Sequence, residues 1–299
     1  MKELIRMYRD EKEGKEKVKL YYKQEAKDYI KQYQRGFKEY PANLIRLNLI
    51  VDRLRKNKVR TVLDVGCGTC GPMIRLLKEG FDVSGFDFSS DMVAQGKNEL
   101  KRHGYKTDLI HRADLENKEN LPSAKFDAIL ALGVFPHILD AKKALSNARG
   151  LLKKNGLVFI QFRNDLFAAY TLNKYSLDFF LNRAIDAASL SKELGEEVSD
   201  FYSERFKVDK PVKKEDGALL YTDILAKFHN PLSIGKEMFG PCGFQVVDMH
   251  FYHYHALPLA FENKYPDLFR DLSLKMEKPN DWRGYLMASA YVVEARKID

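Results

Sequence analysis

Near the start of the chain, apolar residues twice recur at helical spacing. Between Val18 and Phe37 they are Tyr22, Ala26, Tyr29, Ile30, Tyr33 and Phe37, separated by Lys, Asp and Glu; after Pro41, Leu47, Ile50, Val51 and Leu54 share one face. Two amphipathic helices are expected there. At Thr61 the period changes: Thr61 to Val65 is a short β-branched run followed by Gly66-Cys67-Gly68-Thr69-Cys70-Gly71 and then by Met73, Leu76 and Leu77 at helical spacing. That reads as strand, glycine turn and helix. The pattern repeats, predicting strands at Asp82–Asp87, Thr107–His111, Phe126–Leu132 and Leu157–Phe162, with helices at Ser90–His103 and from Ala141 to a stop at Asn155-Gly156. It lapses between Asn164 and Asn230, where aromatic residues and mixed charge predict a helical insertion. It resumes with helices near Ile234–Phe239 and Leu259–Met276 and strands at Phe244–Tyr254 and Tyr285–Glu294. Alternating strands and helices predict an α/β fold: a doubly wound, mostly parallel seven-stranded sheet with helices on both faces. The expected divisions are an N-terminal helical cap (1–58), a core (59–163), a helical insertion or lid (164–230) and a C-terminal part of the core sheet (231–299).

Composition narrows the class. With 45% apolar residues in 299, the chain can build a sizeable core. The apolar runs fall far short of the roughly 20 residues of a membrane span, and the charged N-terminus is unlike a signal peptide, so a cytoplasmic protein without a membrane span is expected. Three cysteines argue against a disulfide framework. The net charge of +8 is concentrated: residues 1–60 hold 18 Lys/Arg against 9 Asp/Glu, leaving 32 against 33 elsewhere. Such a cap would attract anions, although a solvated lysine-rich helix face is the simpler and favoured reading.

The glycine turn satisfies G-x-G-x-x-G, a pattern shared by nicotinamide, flavin and sulfonium-cofactor sites. Its neighbours discriminate. Asp87 ends the second strand, 21 residues after Gly66, where a carboxylate accepts ribose hydroxyls in either class. Asp64 stands two residues before Gly66, where a dinucleotide would bring its pyrophosphate and two anions would repel. A sulfonium and an α-ammonium are instead matched to it. Asp114, after the third strand, is placed to accept from an adenine amino group. The run Val62 to Thr69 resembles the first motif of the class I S-adenosylmethionine (SAM)-dependent methyltransferases, which have a Rossmann-like fold. Gly85-Phe86-Asp87-Phe88-Ser89 with Met92 resembles their second motif, and Ala113-Asp114-Leu115 their third. The resemblance covers Thr61 to Phe162. It implies SAM as cofactor, with Asp64, Gly66, Cys67 and Gly68 at the methionine moiety, Asp87 at the ribose, Phe88 and Met92 on the adenine face, Asp114 and Leu115 at the adenine edge, and Leu132 and Gly133 beyond the methionine. Cys70 stands where many members have glycine.

At the mouth of this site His137 is the candidate general base. Arg163, with Asn164 and Asp165, borders the crevice and is expected to orient an anionic or hydroxylated acceptor. Tyr22 and Tyr29 of the cap, and Tyr170 and Tyr175 of the insertion, are expected at the acceptor. The C-x-x-C of Cys67 and Cys70 and the group His250, His253 and His255 lack the further ligands a metal site needs, so no metal is expected. The Asn/Asp-Pro-Pro-aromatic run of nucleic-acid amino-methyltransferases is missing after the fourth strand, where Leu132-Gly133-Val134-Phe135 stands. The expected reaction is methyl transfer to a hydroxyl or amine of a small-molecule acceptor, leaning to O-methylation of a sugar or other metabolite, by a monomer or homodimer; a nucleic-acid partner is not expected. RNA or protein methylation through the basic cap, nicotinamide-dependent oxidoreduction, and SAM binding without catalysis are the competing readings.

Overall fold

In the computed structural model the described residues are 13, 17, 18, 20–22, 40–118, 120–185, 189–206 and 224–298. Strands β1 (Thr61–Val65), β2 (Asp82–Asp87), β3 (Ile110–Arg112), β4 (Phe126–Ala131) and β5 (Leu152–Asn164) are followed by a two-residue β6 (Phe228–His229), β7 (Phe244–Tyr254) and β8 (Ala288–Lys297). The sheet runs β3-β2-β1-β4-β5-β8-β7, with β6 beside β5. The seven expected strands are thus joined by one short extra strand. β1 to β5 pair in parallel, whereas β8 lies antiparallel to β5 and β7. The strand order reverses between β1 and β4, which opens a crevice beyond their carboxyl ends.

Alternating side chains build two cores. Leu63, Val65, Ile129, Ala131, Val158, Ile160 and Tyr291 face one side of the sheet under helix α4 (Ala141–Leu151), through its Ala144, Leu145 and Ala148. Val62, Ala128, Leu130, Leu157 and Val292 face the other side. There they meet α1 (Ala42–Lys56), α2 (Gly71–Lys78) and α3 (Ser90–Arg102) through residues such as Ile50, Met73 and Leu100.

Several boundaries differ from those expected, for local reasons. β5 begins at Leu152 because the helix stops at Leu151, and Asn155, at φ 57°, bends the strand rather than capping the helix. The stretch near Leu259–Met276 divides into a short turn and α8, Pro266–Lys275, since Pro266 starts a helix but cannot continue one. β8 starts at Ala288 because Gly284–Met287 is a helical turn held by Asn164, whose Nδ2 donates to the carbonyls of Gly284, Tyr285 and Ala288 at 2.8–3.0 Å. The insertion contains α5 (Phe167–Thr171), α6 (Lys174–Phe179) and α7 (Lys192–Arg205). Among the described residues no helix is long and apolar enough to cross a membrane.

Candidate active site

The turn after β1 is held open by three left-handed residues, Gly66 (φ 68°), Gly68 (φ 51°) and Cys70 (φ 65°). A Cβ on Gly66 would lie 2.4 Å from Val134 Cγ2, so backbone approach there depends on glycine. The amides of Gly66 and Cys67 donate to the Phe86 carbonyl at 2.8 and 3.1 Å, fastening the turn to β2. Cys70 takes the conformation glycine would favour and precedes α2, with its side chain fully buried. Cys67 Sγ hydrogen-bonds Cys70, and contact with that neighbour and burial push its thiol pKa up. Both thiols pack into the core beneath the turn. The side chain of Cys67 therefore leaves the site in which it was expected, and the C-x-x-C is core packing.

Two clefts meet beyond the strand ends. The first, of about 110 Å³, is lined by Tyr22, Gly66, Gly68, Asp87, Phe88, Met92, Asp114, Leu115, Leu132, Gly133 and His137, eleven of the expected site residues. Asp87 Oδ2 accepts from the Gly68 amide at 3.0 Å and Oδ1 from the Ser89 amide at 2.9 Å. Burial nevertheless raises its pKa to about 6, more than these amides lower it. Asp64 lines neither cleft: it lies below the turn, 2% exposed, and its Oδ2 has no hydrogen-bond partner among the described residues. Burial, then the charge of Asp87, raise its pKa to about 7, against the opposing charge of Arg46. A buried carboxylate oxygen left unsatisfied beside a second buried carboxylate is a seat for a cation.

The second cleft, about 690 Å³, shares Tyr22, Gly133 and His137 with the first and contains Arg163. His137 is the hinge between the two. Its Nδ1–H donates to the Leu225 carbonyl, which can only accept, so Nε2 is the lone-pair nitrogen and takes the Tyr22 hydroxyl proton at 2.9 Å. Burial, and secondarily the charge of Arg163, lower the imidazole pKa to about 4 against the Leu225 bond. His137 is neutral at physiological pH, and Tyr22 covers its lone pair. Val18, Ile224 and Leu225 form a small apolar cluster against Tyr21, Tyr22, Phe88 and Leu139, joining the N-terminal segment and the end of the insertion above the first cleft.

Other expectations part from the geometry. Tyr170 packs against Phe167, and Tyr175 against Phe228 one layer behind Arg163; neither lines either cleft. Asp165 pairs with Arg183, and Asn164 is spent on the turn before β8. Tyr29 lies outside the described residues. His250 is bonded to Glu294 at 3.2 Å, while His253 and His255 line the second cleft with ring centroids 4.7 Å apart. Among the described residues no three His, Cys, Asp or Glu side chains are arranged to hold a metal. Arg46 was missed. It is 3% exposed on α1 and donates to Gln161 Oε1 at 3.0 Å and to Tyr252 Oη at 3.3 Å in the second cleft. Its signal was present in the spacing: Arg46, Ile50 and Leu54 fall four apart on the buried face.

Residues 63–158 match the family model described as a methyltransferase domain. A glycine/sarcosine N-methyltransferase of Parasynechococcus marenigrum (strain WH8102) is 36% identical over 118 residues, 37% of this chain and 40% of that protein. A ubiquinone biosynthesis O-methyltransferase of Histophilus somni (strain 2336) is 28% identical over 142 residues, 46% of this chain and 60% of that protein. The chain thus spans less than two thirds of the length of either relative. A magnesium protoporphyrin IX methyltransferase from Synechocystis PCC 6803, solved with bound S-adenosylhomocysteine (SAH), shares the fold over 95% of this chain and 99% of that one, at a TM-score of 0.55 and 16% identity. Residues 63–158 are thus similar to a methyltransferase domain, within a fold that the chain shares with a solved methyltransferase.

Proposed function

We propose that this chain transfers a methyl group from SAM to an amine or hydroxyl of a small acceptor held in the second cleft. The observation that carries the reading is the unsatisfied Asp64 Oδ2 under the glycine turn, next to buried Asp87. A nicotinamide dinucleotide would set its pyrophosphate against these acids, whereas the ammonium and sulfonium of SAM relieve them. In this reading Asp64, Gly66 and Gly68 hold the methionine part. Asp87 takes the ribose, Phe88 and Met92 the adenine face, Asp114 and Leu115 its edge, and Leu132 and Gly133 the far wall. When bound, SAM supplies a methyl carbon activated by its sulfonium, which the acceptor takes in line as the carbon–sulfur bond breaks.

The protein's contribution is then mainly alignment and exclusion of water. Tyr22, Gly133 and His137, the residues common to both clefts, border the path between donor and acceptor. Because the His137 lone pair is taken by Tyr22 and its basicity is low, His137 orients the Tyr22 hydroxyl instead of removing a proton. This favours a neutral amine, which attacks through its own lone pair and releases its proton to solvent afterwards, over a sugar hydroxyl that needs a strong base. By name, the glycine/sarcosine relative methylates nitrogen and the ubiquinone-biosynthesis relative methylates oxygen. Incubation with methyl-labelled SAM and separated small-molecule, RNA and protein fractions of a cell extract tests the proposal. Label is expected in a small molecule; label confined to RNA or protein, or SAM bound without transfer to any fraction, would overturn it.

A further inference from the structure

The second cleft is sorted by depth. Its buried and half-buried charges are cationic: Arg46 from α1, Arg163 at the end of β5 and Arg270 from α8. The carboxylates among its lining residues, Glu262 and Asp267, stand exposed at the rim. One wall is a run of contacting rings. Tyr40 lies against His253 (4.8 Å between centroids, 31° between planes), His253 against His255 (4.7 Å, 39°), and His255 against Phe269 (5.7 Å, 74°). Burial holds both imidazoles neutral, so this wall presents ring faces and edges without charge of its own. The volume of about 690 Å³ lies within the roughly 300–1,000 Å³ typical of drug-sized ligands and is far more than an acceptor of glycine's size fills.

From this arrangement we infer that the second cleft takes a carboxylate-bearing acceptor with a flat ring body, the ring on the Tyr40–His253–His255 wall and the carboxylate on Arg163 and Arg46. Planar guanidinium groups are suited to carboxylates by their paired donors. Arg163 also lines the cleft together with Gly133 and His137, so the anchored end lies close to the junction of the two clefts. Arg46 is set by its bonds to Gln161 and Tyr252, which both line the same cleft, and this fixes the cationic floor relative to the sheet.

The inference rests on the methyltransferase reading, and one titration series separates their failures. Calorimetry of the full chain with SAH comes first, followed by a panel of amino- and hydroxy-substituted benzoates and naphthoates, their primary amides, and glycine, each added to the SAH complex. Ring acids are expected to bind about ten- to a hundredfold more tightly than their amides and than glycine, the difference made by a charge-assisted hydrogen bond. Arg163→Gln is expected to abolish the preference for acid over amide while leaving SAH affinity unchanged. Because Arg46 is buried, Arg46→Lys, which keeps the charge, serves beside it and is expected to retain part of the preference. SAH binding with no preference for acid over amide, or a preference that survives Arg163→Gln, would overturn this inference alone. Absence of SAH binding would overturn the reading beneath it.

Discussion

At the scale of single residues, two carboxylates and one imidazole carry the account. Asp64 and Asp87 are acids whose folded pKa values, about 7 and about 6, lie above those of an unfolded chain. An acid with a raised folded pKa stabilises the fold fully only below its unfolded value, and that contribution is lost as pH rises through the folded value. The unliganded protein is therefore strained at pH 8 in a way that Asp64→Asn relieves. We expect this variant to be more stable than the parent by about 1–3 kcal/mol at pH 8, with the gain shrinking towards pH 5, as read from urea unfolding. Equal stability of the two proteins at pH 8 would mean that Asp64 already has a satisfied carboxylate. His137 makes a kinetic prediction. With its pKa near 4 and its lone pair on Tyr22, kcat should show no inflection near pH 6.5, and Tyr22→Phe should leave the pH profile flat. An ascending limb near 6.5 that vanishes in His137→Gln would restore the imidazole as the proton acceptor.

At the scale of elements, the glycine turn and the helices behind it hold the first cleft open. Gly96 on α3 faces Cys70 Sγ and the Gly68 carbonyl, each only 2.8 Å from where a Cβ would sit. Gly96→Ala should push α3 off the turn, destabilising the protein by about 2–3 kcal/mol and weakening SAH, with thermal unfolding and calorimetry as readouts. A variant with parental SAH affinity would show that the turn tolerates this displacement. The β/α alternation was legible because each strand is a short apolar run and each helix a stripe, so β1, β2, β4 and α1 to α4 follow directly from periodicity. The acids at strand ends were legible because they sit at fixed distances from the turn. The second cleft was not. It is assembled from Tyr40 and Arg46 of one end of the chain, Gln161 and Arg163 of β5, and β7 at the sheet's edge, and only the antiparallel pairing of β8 between β5 and β7 brings these together. No local pattern encodes that pairing. Tyr170 and Tyr175 were misassigned because an aromatic residue in an amphipathic helix serves packing and pocket with the same spacing.

At the scale of the whole molecule, the buried and half-buried imidazoles set how stability depends on pH. His137 and His255 are buried and His229 and His253 half-buried, and burial lowers the pKa of each to between about 3 and 4. A histidine with a depressed pKa favours the fold above its unfolded value near 6.5, and that stability is lost as pH falls towards the folded value. Asp64 and Asp87 act in the opposite sense over part of this range, but four imidazoles outweigh two carboxylates, so the melting temperature should fall as pH drops from 6.5 to 4. A melting temperature constant across that window would contradict the neutral state of these rings. Tyr22 and Leu225 are tied together over the first cleft by the hydrogen bonds that both make to His137. Titrating SAH and NADH into the parent and Asp64→Asn proteins at pH 6, 7 and 8 tests whether the acids under the glycine turn receive a cation. The parent is expected to bind SAH more tightly as pH rises, Asp64→Asn to lose at least about tenfold in affinity together with that pH dependence, and NADH to bind neither. Parental SAH affinity in Asp64→Asn, or NADH binding that competes with SAH, would show that they do not.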